Sequence, residues 1–461
     1  MMFQRFAGLS HLHFAGIGGA GMSGIAEVLL QYDLEISGCD LAPGEATARL
    51  EGLGVRVERG HSPAHLEGVD LLVVSSAIAA DNPEVVAARE RGITVVRRAE
   101  MLAELMRLKY GIAVAGTHGK TTTPSLVGTL LPEAGLDPTV IVGGRLRVSG
   151  TGARLGASDL MVVEADEYDR SFLSLAPVLA VVTSIDRDHL DTYRDLAEIQ
   201  EAFVAFAARV PFFGQVVACA DDPAVEAILP RLAGRRIVTY GLGPGAELRA
   251  ERLEALATGS RFVAVRGGEE LGAFVVPMPG QHNVRNALAA LGVGLALGLD
   301  PAAMAAALAS FRGVHRRFER LGTFHGAEVI DDYAHHPTEV AATLAAARQV
   351  YPRTRVVAVF QPHLYSRTRD LAGDFGRALL AADRALVTDV YPAREERIPG
   401  VTGELVVAAA RAAGHGGADY CPDWEEIEAI LARELAPGDV VLTLGAGDIV
   451  RLGERLAGGG A

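Results

Sequence analysis

Lysine is the scarcest charged residue of this chain, which has two lysines among 43 basic residues. They are Lys109 and Lys120, and Lys120 ends a loop that contains glycine. Arginine presents a planar fork, whereas lysine is a compact charge on a flexible stem. A lysine kept in a chain that otherwise uses arginine therefore indicates a position that needs lysine itself, such as one that contacts phosphate oxygens.

Other scarcities exclude whole classes of protein. The cysteines Cys39, Cys219 and Cys421 are far apart and follow no metal-binding spacing, so we interpret them as reduced thiols. The longest apolar run, about 287–299, is too short to cross a bilayer, and the glycine loop at Gly16 leaves no room for a signal peptide. A net charge of −14 argues against nonspecific nucleic-acid binding. We therefore expect a cytoplasmic protein without membrane insertion and without a nucleic-acid partner.

The most informative stretch is 112–123, Ile-Ala-Val-Ala-Gly-Thr-His-Gly-Lys-Thr-Thr-Thr, an apolar strand that runs into a glycine loop and a helix. Glycines let backbone N–H groups approach phosphate, and the helix N-terminus adds positive potential. The loop from Gly116 to Thr121 is a shortened phosphate-binding pattern, with Lys120 for phosphate oxygens and a Thr121 hydroxyl for Mg²⁺. Pro124 falls in the first turn of the expected helix, where proline is tolerated. The stretch predicts nucleotide binding; the alternative is a strand–loop–helix turn that binds nothing.

The pattern of strands and helices predicts an α/β protein of three tandem domains. We place a Rossmann-like domain at 1–108, a central phosphate-loop ATPase domain at 109–313 and a Rossmann-like C-terminal domain at 314–461. The central domain includes a small antiparallel insert between about 235 and 280. The predicted parallel strands lie at 11–16, 34–38, 71–75, 112–115, 160–163, 179–183, 355–360, 385–388 and 440–444. Polar and glycine clusters follow several of these strands, where open α/β sheets bind ligands.

A second glycine loop lies near the N-terminus. Gly16-x-Gly18-x-x-Gly21, with Asp40 downstream, meets the dinucleotide-binding pattern. From these residues alone the loop fits NAD and a dehydrogenase, or a different diphosphate such as a nucleotide sugar, or a structural turn.

Acidic residues and histidines follow the central strands. Glu164 sits at a strand end about 45 residues after the phosphate loop, where a carboxylate can bind the magnesium that bridges phosphates. His189 is flanked by three aspartates, and an imidazole oriented by a carboxylate can bind a metal. The alternatives are a solvated acidic loop and a structural histidine.

Two stretches of the C-terminal third also carry candidate residues. In 331–337, Asp332 can bind a ribose and His335 can face phosphate; the alternative is a plain helix cap by Thr338. In 361–369, Arg367 follows a strand end, and arginine binds carboxylates bidentately. The alternative is a surface arginine, since the chain has many.

Taken together and in order, these motifs closely resemble the Mur ligase family, and within it the branch that joins L-alanine to UDP-N-acetylmuramate. The matching stretches are 16–24, 116–123, 164–167, 188–191, 280–283, 316–319, 332–339 and 360–368. The resemblance spans nearly the whole chain. It implies a first domain that binds the UDP of the sugar substrate, a central domain that binds ATP, and a third domain that closes over it.

The resemblance also implies roles for individual residues. The implied cofactors are ATP and Mg²⁺, and the implied substrates are UDP-N-acetylmuramate and L-alanine, taken by a monomer or weak homodimer. The ATP site comprises Gly116, Thr117, His118, Gly119, Lys120, Thr121, Thr122, Asn283, Arg317 and Asp332. The UDP-sugar site comprises Gly18, Gly19, Gly21, Met22, Ser23, Asp40 and Ser76. The metal ligands are Thr121, Glu164 and His189, and the catalytic set is Lys120, Glu164, His189, His335 and Arg367, with Arg367 on the alanine carboxylate.

Several positions depart from the family pattern. Pro124 replaces the usual residue after the threonine run, Ser184 stands for asparagine, Ala334 for glycine, and Leu364 for an arginine of some relatives. No lysine follows Lys120 in the sequence, so this chain cannot carry the carbamylated lysine that other Mur ligases use. The alanine-adding branch resembles the other Mur ligases but also lacks that lysine.

Rival hypotheses are a nucleotide-linked dehydrogenase, a murein-tripeptide recycling ligase, a folylpolyglutamate synthetase and a catalytically silent nucleotide-binding regulator.

Overall fold

The computed structural model describes Phe6 and residues 8–75, 77–143, 152–189, 192–393 and 395–458. The chain divides into two compact units. The first contains Met1–Arg252, Phe262–Phe274 and Arg285–Arg312; the second contains Leu253–Arg261, Val275–Val284 and Gly313–Ala461. Among the described residues the strands form three sheets of five, ten and six strands. No helix in this described part is long and apolar enough to cross a membrane.

The first sheet is parallel and has the strand order β3-β2-β1-β4-β5. Its strands are β1 His11–Ala15, β2 Glu35–Asp40, β3 Arg56–Arg59, β4 Leu71–Val74 and β5 Thr94–Arg97. Its helices are α1 Ala20–Leu29, α2 Glu45–Gly52, α3 Pro83–Glu90 and α4 Arg98–Arg107. The order reverses beside β1, so the loop after β1 lies at the switch point where such sheets bind ligands.

The second sheet has the order β15-β14-β13-β12-β11-β10-β6-β9-β7-β8. Its strands are β6 Tyr110–Ala115, β7 Thr139–Ile141, β8 Ala153–Arg154, β9 Leu160–Ala165, β10 Leu179–Val182, β11 Gln215–Cys219, β12 Ile237–Gly241, β13 Leu248–Leu256, β14 Gly259–Arg266 and β15 Glu269–Val276. The helices in this part of the chain are α5 Thr122–Glu133, α6 Leu196–Ala207, α7 Pro223–Ile228, α8 Gln281–Ala296 and α9 Pro301–Ala309. Two-residue connections join β13 to β14 and β14 to β15, which requires antiparallel hairpins. They are the insert that the alternating pattern predicts.

The third sheet has the order β16-β17-β21-β18-β19-β20. Its strands are β16 Glu319–Phe324, β17 Ala327–Asp332, β18 Val356–Phe360, β19 Arg384–Val387, β20 Ala418–Tyr420 and β21 Val440–Leu444. Its helices are α10 Pro337–Val350, α11 Tyr365–Leu379, α12 Glu404–Ala412, α13 Trp424–Glu434 and α14 Val450–Gly458. Only β16 runs antiparallel among the pairings of these described strands.

The central strands are apolar throughout because helices cover both faces of a parallel sheet. Every residue of β10, β11, β18 and β21 is buried. Burying one such Val or Leu side chain contributes about 1.5–3 kcal/mol, so these strands anchor the loops at their carboxyl ends. The loops that carry the candidate residues therefore start from rigid positions.

Candidate active site

The phosphate loop connects β6 to α5 in the first unit. Gly116 has a φ of +147°, and a Cβ at this position would lie 1.9 Å from Thr183 Oγ1, so the loop requires glycine there. The N–H of Thr117 donates to the Ser184 carbonyl at 3.0 Å, and the N–H of His118 donates to the Ser184 hydroxyl at 2.9 Å. Ser184, one of the departures from the family pattern, therefore supports the loop through its side chain.

Lys120 is paired with acidic residues that follow β9. Its Nζ lies 2.8 Å from both carboxylate oxygens of Glu167 and 3.5 Å from Asp166 Oδ1. Burial alone would lower the pKa of the Lys120 ammonium, but the two carboxylates outweigh it and raise that pKa. Burial raises the pKa of Glu167 to about 7, against the opposing pull of Lys120. Lys120 is therefore positively charged, and the carboxylates of Glu167 and Asp166 beside it supply the opposite charge.

Thr121 and Glu164 meet next to this pair. The Thr121 hydroxyl donates to the Glu164 carboxylate, with its Oγ1 3.1 Å from each oxygen, and the Gly143 N–H donates to Oε2 at 2.7 Å. Burial raises the pKa of Glu164. A hydroxyl and a carboxylate are the hard oxygen donors that Mg²⁺ takes, so these two residues fit that ion.

His189 belongs to a neighbouring group of ligands. Its Nε2 lies 3.7 Å from Glu167 Oε1, and its ring meets the Tyr168 ring edge-on at 5.0 Å. The ligand atoms of Asp166, Glu167 and His189 lie within 4.8 Å of one another. The structure therefore groups His189 with Asp166 and Glu167, and groups Thr121 with Glu164.

The remaining phosphate-loop candidates are held by contacts within the first unit. His118 Nε2 lies 3.0 Å from Asp186 Oδ2. A Cβ on Gly119, where φ is +78°, would lie 2.5 Å from Asn286 Oδ1, and that oxygen accepts the Thr123 hydroxyl at 3.3 Å. Thr122 is buried as the first residue of α5, and Pro124 lies within the first turn as expected. Nothing in the sequence pattern singles out Asn286.

The predicted UDP-sugar residues surround the loop after β1. The Gly18 N–H donates to Asp40 Oδ2 at 2.9 Å, and the Ala42 N–H donates to Oδ1 at 3.0 Å. Gly19 is the exposed N-cap of α1, and Met22 and Ser23 are buried in its first turn. Ser76 lies outside the described residues.

Arg98 is a neighbour of this loop that sequence reasoning missed. A Cβ on Gly21 would lie 2.9 Å from Arg98 Nη1. The guanidinium therefore approaches the first turn of α1, and an arginine there suits a diphosphate. No motif connects residues 21 and 98, so only the fold reveals this proximity.

In the second unit, Asp332 ends β17. Its carboxylate accepts the N–H of Phe318 and of Ala334, each at 2.8 Å. Burial raises the pKa of Asp332 to about 6, while the charge of Arg317 opposes that rise. The Arg317 guanidinium lies over the Tyr333 ring at 5.2 Å. These two predicted residues are therefore brought together.

His335 and Arg367 also lie in one neighbourhood of the second unit. His335 Nδ1 lies 3.0 Å from the Tyr333 carbonyl, and its ring centroid lies 5.7 Å from that of His363. Arg367, in the first turn of α11 and 8% exposed, has Nη1 3.4 Å from His363 Nδ1. His363 was not among the predicted site residues, although it lies in the quoted motif. His336 rather than Thr338 caps α10, by accepting the Thr338 N–H.

Asn283 lies at the start of α8 in the second unit. It is 2% exposed, and its Nδ2 donates to the Pro279 carbonyl at 2.8 Å. Its role at a nucleotide remains a prediction.

The fold and this geometry define an α/β nucleotide-binding enzyme with a phosphate loop at its second sheet. Three family descriptions match the chain: "Mur ligase family, catalytic domain" at 11–110, "Mur ligase middle domain" at 114–294 and "Mur ligase, glutamate ligase domain" at 316–447. The chain belongs to the Mur ligase family, and it is an ATP-dependent ligase. The predicted family and fold class are thereby confirmed, whereas the exact domain bounds and the site residues stay predictions.

Relatives of known name match nearly the whole chain. It is 52% identical over 441 residues to a UDP-N-acetylmuramate–L-alanine ligase of Sorangium cellulosum, covering 95% of this chain and 94% of the relative. It is 50% identical over 447 residues to the Burkholderia cenocepacia protein of the same name, covering 96% of each. The crystal structure of a UDP-N-acetylmuramate–alanine ligase from Thermotoga maritima is similar with a TM-score of 0.79 and 30% identity, over 97% of this chain and 98% of that one.

Proposed function

We propose that this chain joins L-alanine to UDP-N-acetylmuramate, giving UDP-N-acetylmuramoyl-L-alanine, ADP and phosphate in peptidoglycan precursor synthesis. The observation that carries the proposal is the identity of about half of all residues, over nearly the whole length, with relatives of that name. The paired Lys120 and the Thr121–Glu164 contact supply a phosphate-binding arrangement that suits the reaction.

The reaction must activate a carboxylate, whose leaving group would otherwise be oxide. A carboxylate oxygen of the sugar substrate attacks the γ-phosphorus of ATP, the bond to ADP breaks, and an acyl phosphate forms. The neutral amine of alanine then attacks the acyl carbon to give a tetrahedral intermediate. That intermediate expels phosphate as the amide forms and the nitrogen loses its proton. Two anions meet in the first step, so charge neutralisation dominates catalysis.

We assign this neutralisation to residues of the first unit. Lys120 binds the β- and γ-phosphates. Its ammonium contacts Glu167 in this structure and contacts phosphate oxygens when ATP binds. Thr121 and Glu164 would hold one Mg²⁺, and His189 would hold a second near the substrate carboxylate. Bound Mg²⁺ would supply positive charge to the phosphate oxygens. The loop from Gly116 to Thr122 cradles the phosphates through the backbone N–H groups that do not donate to Ser184.

The other predicted residues complete the assignment. We assign Asn283, Arg317, Asp332 and His335 to ATP and Arg367 to the alanine carboxylate. We assign Gly18, Gly19, Gly21, Met22, Ser23, Asp40 and Ser76 to the UDP-sugar, and we add Arg98 as a contact for the diphosphate because of its approach to Gly21.

The test is phosphate release from ATP and Mg²⁺ with UDP-N-acetylmuramate, each amino acid being added separately. We expect release that depends on both the sugar and L-alanine. Release with another acceptor, such as a tripeptide, would move the chain to a sister activity of the family. No release in any combination would contradict the proposal.

A further inference from the structure

Four side chains of types that can bind a metal form a cluster in the region of the first sheet, and none of them is among the residues predicted to bind UDP. It consists of His13 on β1, Cys39 on β2, His65 in the turn after β3 and Glu84 in the first turn of α3. One ligand atom from each of the four lies within 4.8 Å of every other. No local motif connects these residues, and the assigned reaction uses none of them.

The separations between these atoms are close to those around a tetrahedral ion. Cys39 Sγ lies 3.1 Å from Glu84 Oε2, and His13 Nε2 lies 3.8 Å from Glu84 Oε1. His65 Nδ1 is hydrogen-bonded to Glu84 Oε1 at 2.6 Å. Neighbouring ligand atoms of a tetrahedral zinc lie about 3.3–3.6 Å apart, as its bonds of about 2.0–2.3 Å require. These three separations differ from the tetrahedral spacing by about 0.7 Å or less, and all four ligand atoms lie within 4.8 Å of one another.

His13 provides the independent sign that the cluster binds something. It is 1% exposed, and its Nε2 has no hydrogen-bond partner among the described residues, although it is directed at Glu84. The other ring nitrogen, Nδ1, lies 2.8 Å from the Ser37 hydroxyl. A histidine that donates through Nδ1 to such a neighbour presents the lone pair of Nε2, and a hydrogen bond at the far ring nitrogen orients metal-binding histidines in the same way. A buried polar atom without a partner is otherwise costly.

Charge and surroundings favour zinc over a harder ion. Two imidazoles, a thiolate and a carboxylate suit Zn²⁺, whereas Mg²⁺ prefers oxygen ligands. The two anionic ligands balance the two positive charges, which a buried site requires because Cys39 and Glu84 are 0% exposed. An apolar cluster that includes Leu66 and Val85 packs around Cys39. The side chain of His65 is 15% exposed and gives the ion a path from solvent.

We propose that His13, Cys39, His65 and Glu84 form a structural zinc site. Binding forms a Zn–S bond as the Cys39 S–H bond breaks, and the thiol proton leaves to solvent. The Cys39 carbonyl accepts the N–H of Gly16 at 2.8 Å and of Ile17 at 3.0 Å. The ion therefore stiffens the strand end that holds the glycine loop.

The test is titration of the full chain, reduced and freed of metal, with Co²⁺ alone. Tetrahedral Co²⁺ bound to a thiolate gives a sulfur-to-cobalt charge-transfer band, which the sulfur-free cluster of Asp166, Glu167 and His189 cannot produce. We expect this band to saturate at one ion per chain and to disappear when Zn²⁺ is added. The band must vanish in Cys39→Ser and persist in Cys219→Ser and Cys421→Ser, the matched controls at the other two buried cysteines.

A second variant covers the case in which Cys39→Ser does not fold. His65→Gln retains the thiol and should weaken Zn²⁺ binding by more than about 100-fold, because even an outer-shell partner changes metal affinity by about 10–100-fold. Zn²⁺ should also raise the melting temperature of the wild type by more than that of His65→Gln. Absence of the charge-transfer band in the wild type, or its persistence in Cys39→Ser, would show that the cluster is only a hydrogen-bonded network.

Discussion

Single residues decide whether this fold can do chemistry, and Lys120 is the clearest case. Its ammonium contacts two carboxylates while only 15% of the side chain is exposed. A buried ion pair loses much of its attraction to desolvation, so this pair contributes little net stability. The pair instead keeps the Lys120 ammonium charged and holds it at the position where phosphate oxygens are predicted to bind.

Replacing Lys120 by alanine tests this position. We expect kcat of ligation to fall by about 10³-fold or more, since a charge aimed at the transferring phosphoryl group is lost. The fold should survive because Glu167, whose pKa is already raised to about 7, can take up a proton when its partner is removed. Lys109→Ala is the control, because the Lys109 ammonium donates to the Ser158 carbonyl and is not among the residues assigned to the nucleotide. Steady-state kinetics and melting curves decide, and normal turnover by Lys120→Ala would contradict the assignment.

Arg367 is tested by comparison with a nearby arginine. We expect Arg367→Ala to raise the KM for alanine by roughly 10–100-fold with a smaller effect on kcat, because one charge-assisted contact contributes about 1.5–3 kcal/mol. Arg369→Ala, two positions along, should change neither constant, since Arg369 is exposed and paired with Asp370. An unchanged alanine KM in Arg367→Ala would remove this residue from the site.

Asp332 gives the second unit a stability that depends on pH. Burial raises its pKa to about 6 from an ordinary value of 3.8, so the folded chain keeps a proton that the unfolded chain releases first. The protonated Asp332 carboxyl therefore adds its full contribution to the free energy of unfolding below about pH 4. This contribution is lost as the pH rises through 6, and the free energy of unfolding falls by at most about 3 kcal/mol.

Asp332→Asn removes this titration. We expect the difference in melting temperature between wild type and variant to change between pH 4 and 6 and to be constant above pH 7. The exposed Asp370→Asn serves as the control and should show no such change in this window. Parallel melting curves for wild type and Asp332→Asn across the whole range would disprove the effect.

At the scale of elements, the unit that matters most is β6, the phosphate loop and α5. The apolar run 112–115 predicts a strand of a parallel sheet, and the structure places β6 between β9 and β10. The loop after β6 is held by the end of β10 through Thr183 and Ser184. The conformation of the loop therefore depends on a strand more than 60 residues away.

Two glycines test this dependence: Gly116, which directly follows β6, and Gly135, which lies just after α5. Both have positive φ, +147° at Gly116 and +81° at Gly135, but only at Gly116 would a Cβ meet other atoms. We expect Gly135→Ala to lower stability by about 1–2 kcal/mol and to leave ATP binding intact. Gly116→Ala should abolish ATP binding, because the loop must leave its contacts with β10. Equal ATP affinity of the two variants, measured by calorimetry, would contradict this account.

At the scale of the whole molecule, ligands should stabilise the chain separately. A ligand that binds only the folded state adds about 2.7 kcal/mol at 100 times its Kd. We expect ATP with Mg²⁺, and UDP-N-acetylmuramate, each to raise the melting temperature. Lys120→Ala should lose the response to ATP and keep the response to the sugar nucleotide. Loss of both responses in the variant would indicate global damage and would contradict separate sites.

The sequence predicted most of the fold because its signals are local. The buried parallel strands appear as apolar runs, and the structure begins and ends them within about two residues of the predicted positions, as in β4 and β18. The strands β3, β7, β8, β11, β16 and β20 were not predicted. Most of them are short or lie at a sheet edge, where the sequence has little pattern, but β11 is a buried strand of five residues that sequence reasoning missed. Such strands exist because a neighbouring strand pairs with them.

By itself, the sequence determined the α/β class, the two glycine loops, the family and the candidate residues, because each depends on neighbours along the chain. Only the tertiary structure decided which candidates meet. It paired Lys120 with Glu167, Thr121 with Glu164, and Cys39 with Glu84. These contacts join residues that are 43 to 47 positions apart. The periodicity of the sequence does not indicate such contacts, because they form only when the strands and helices pack against one another.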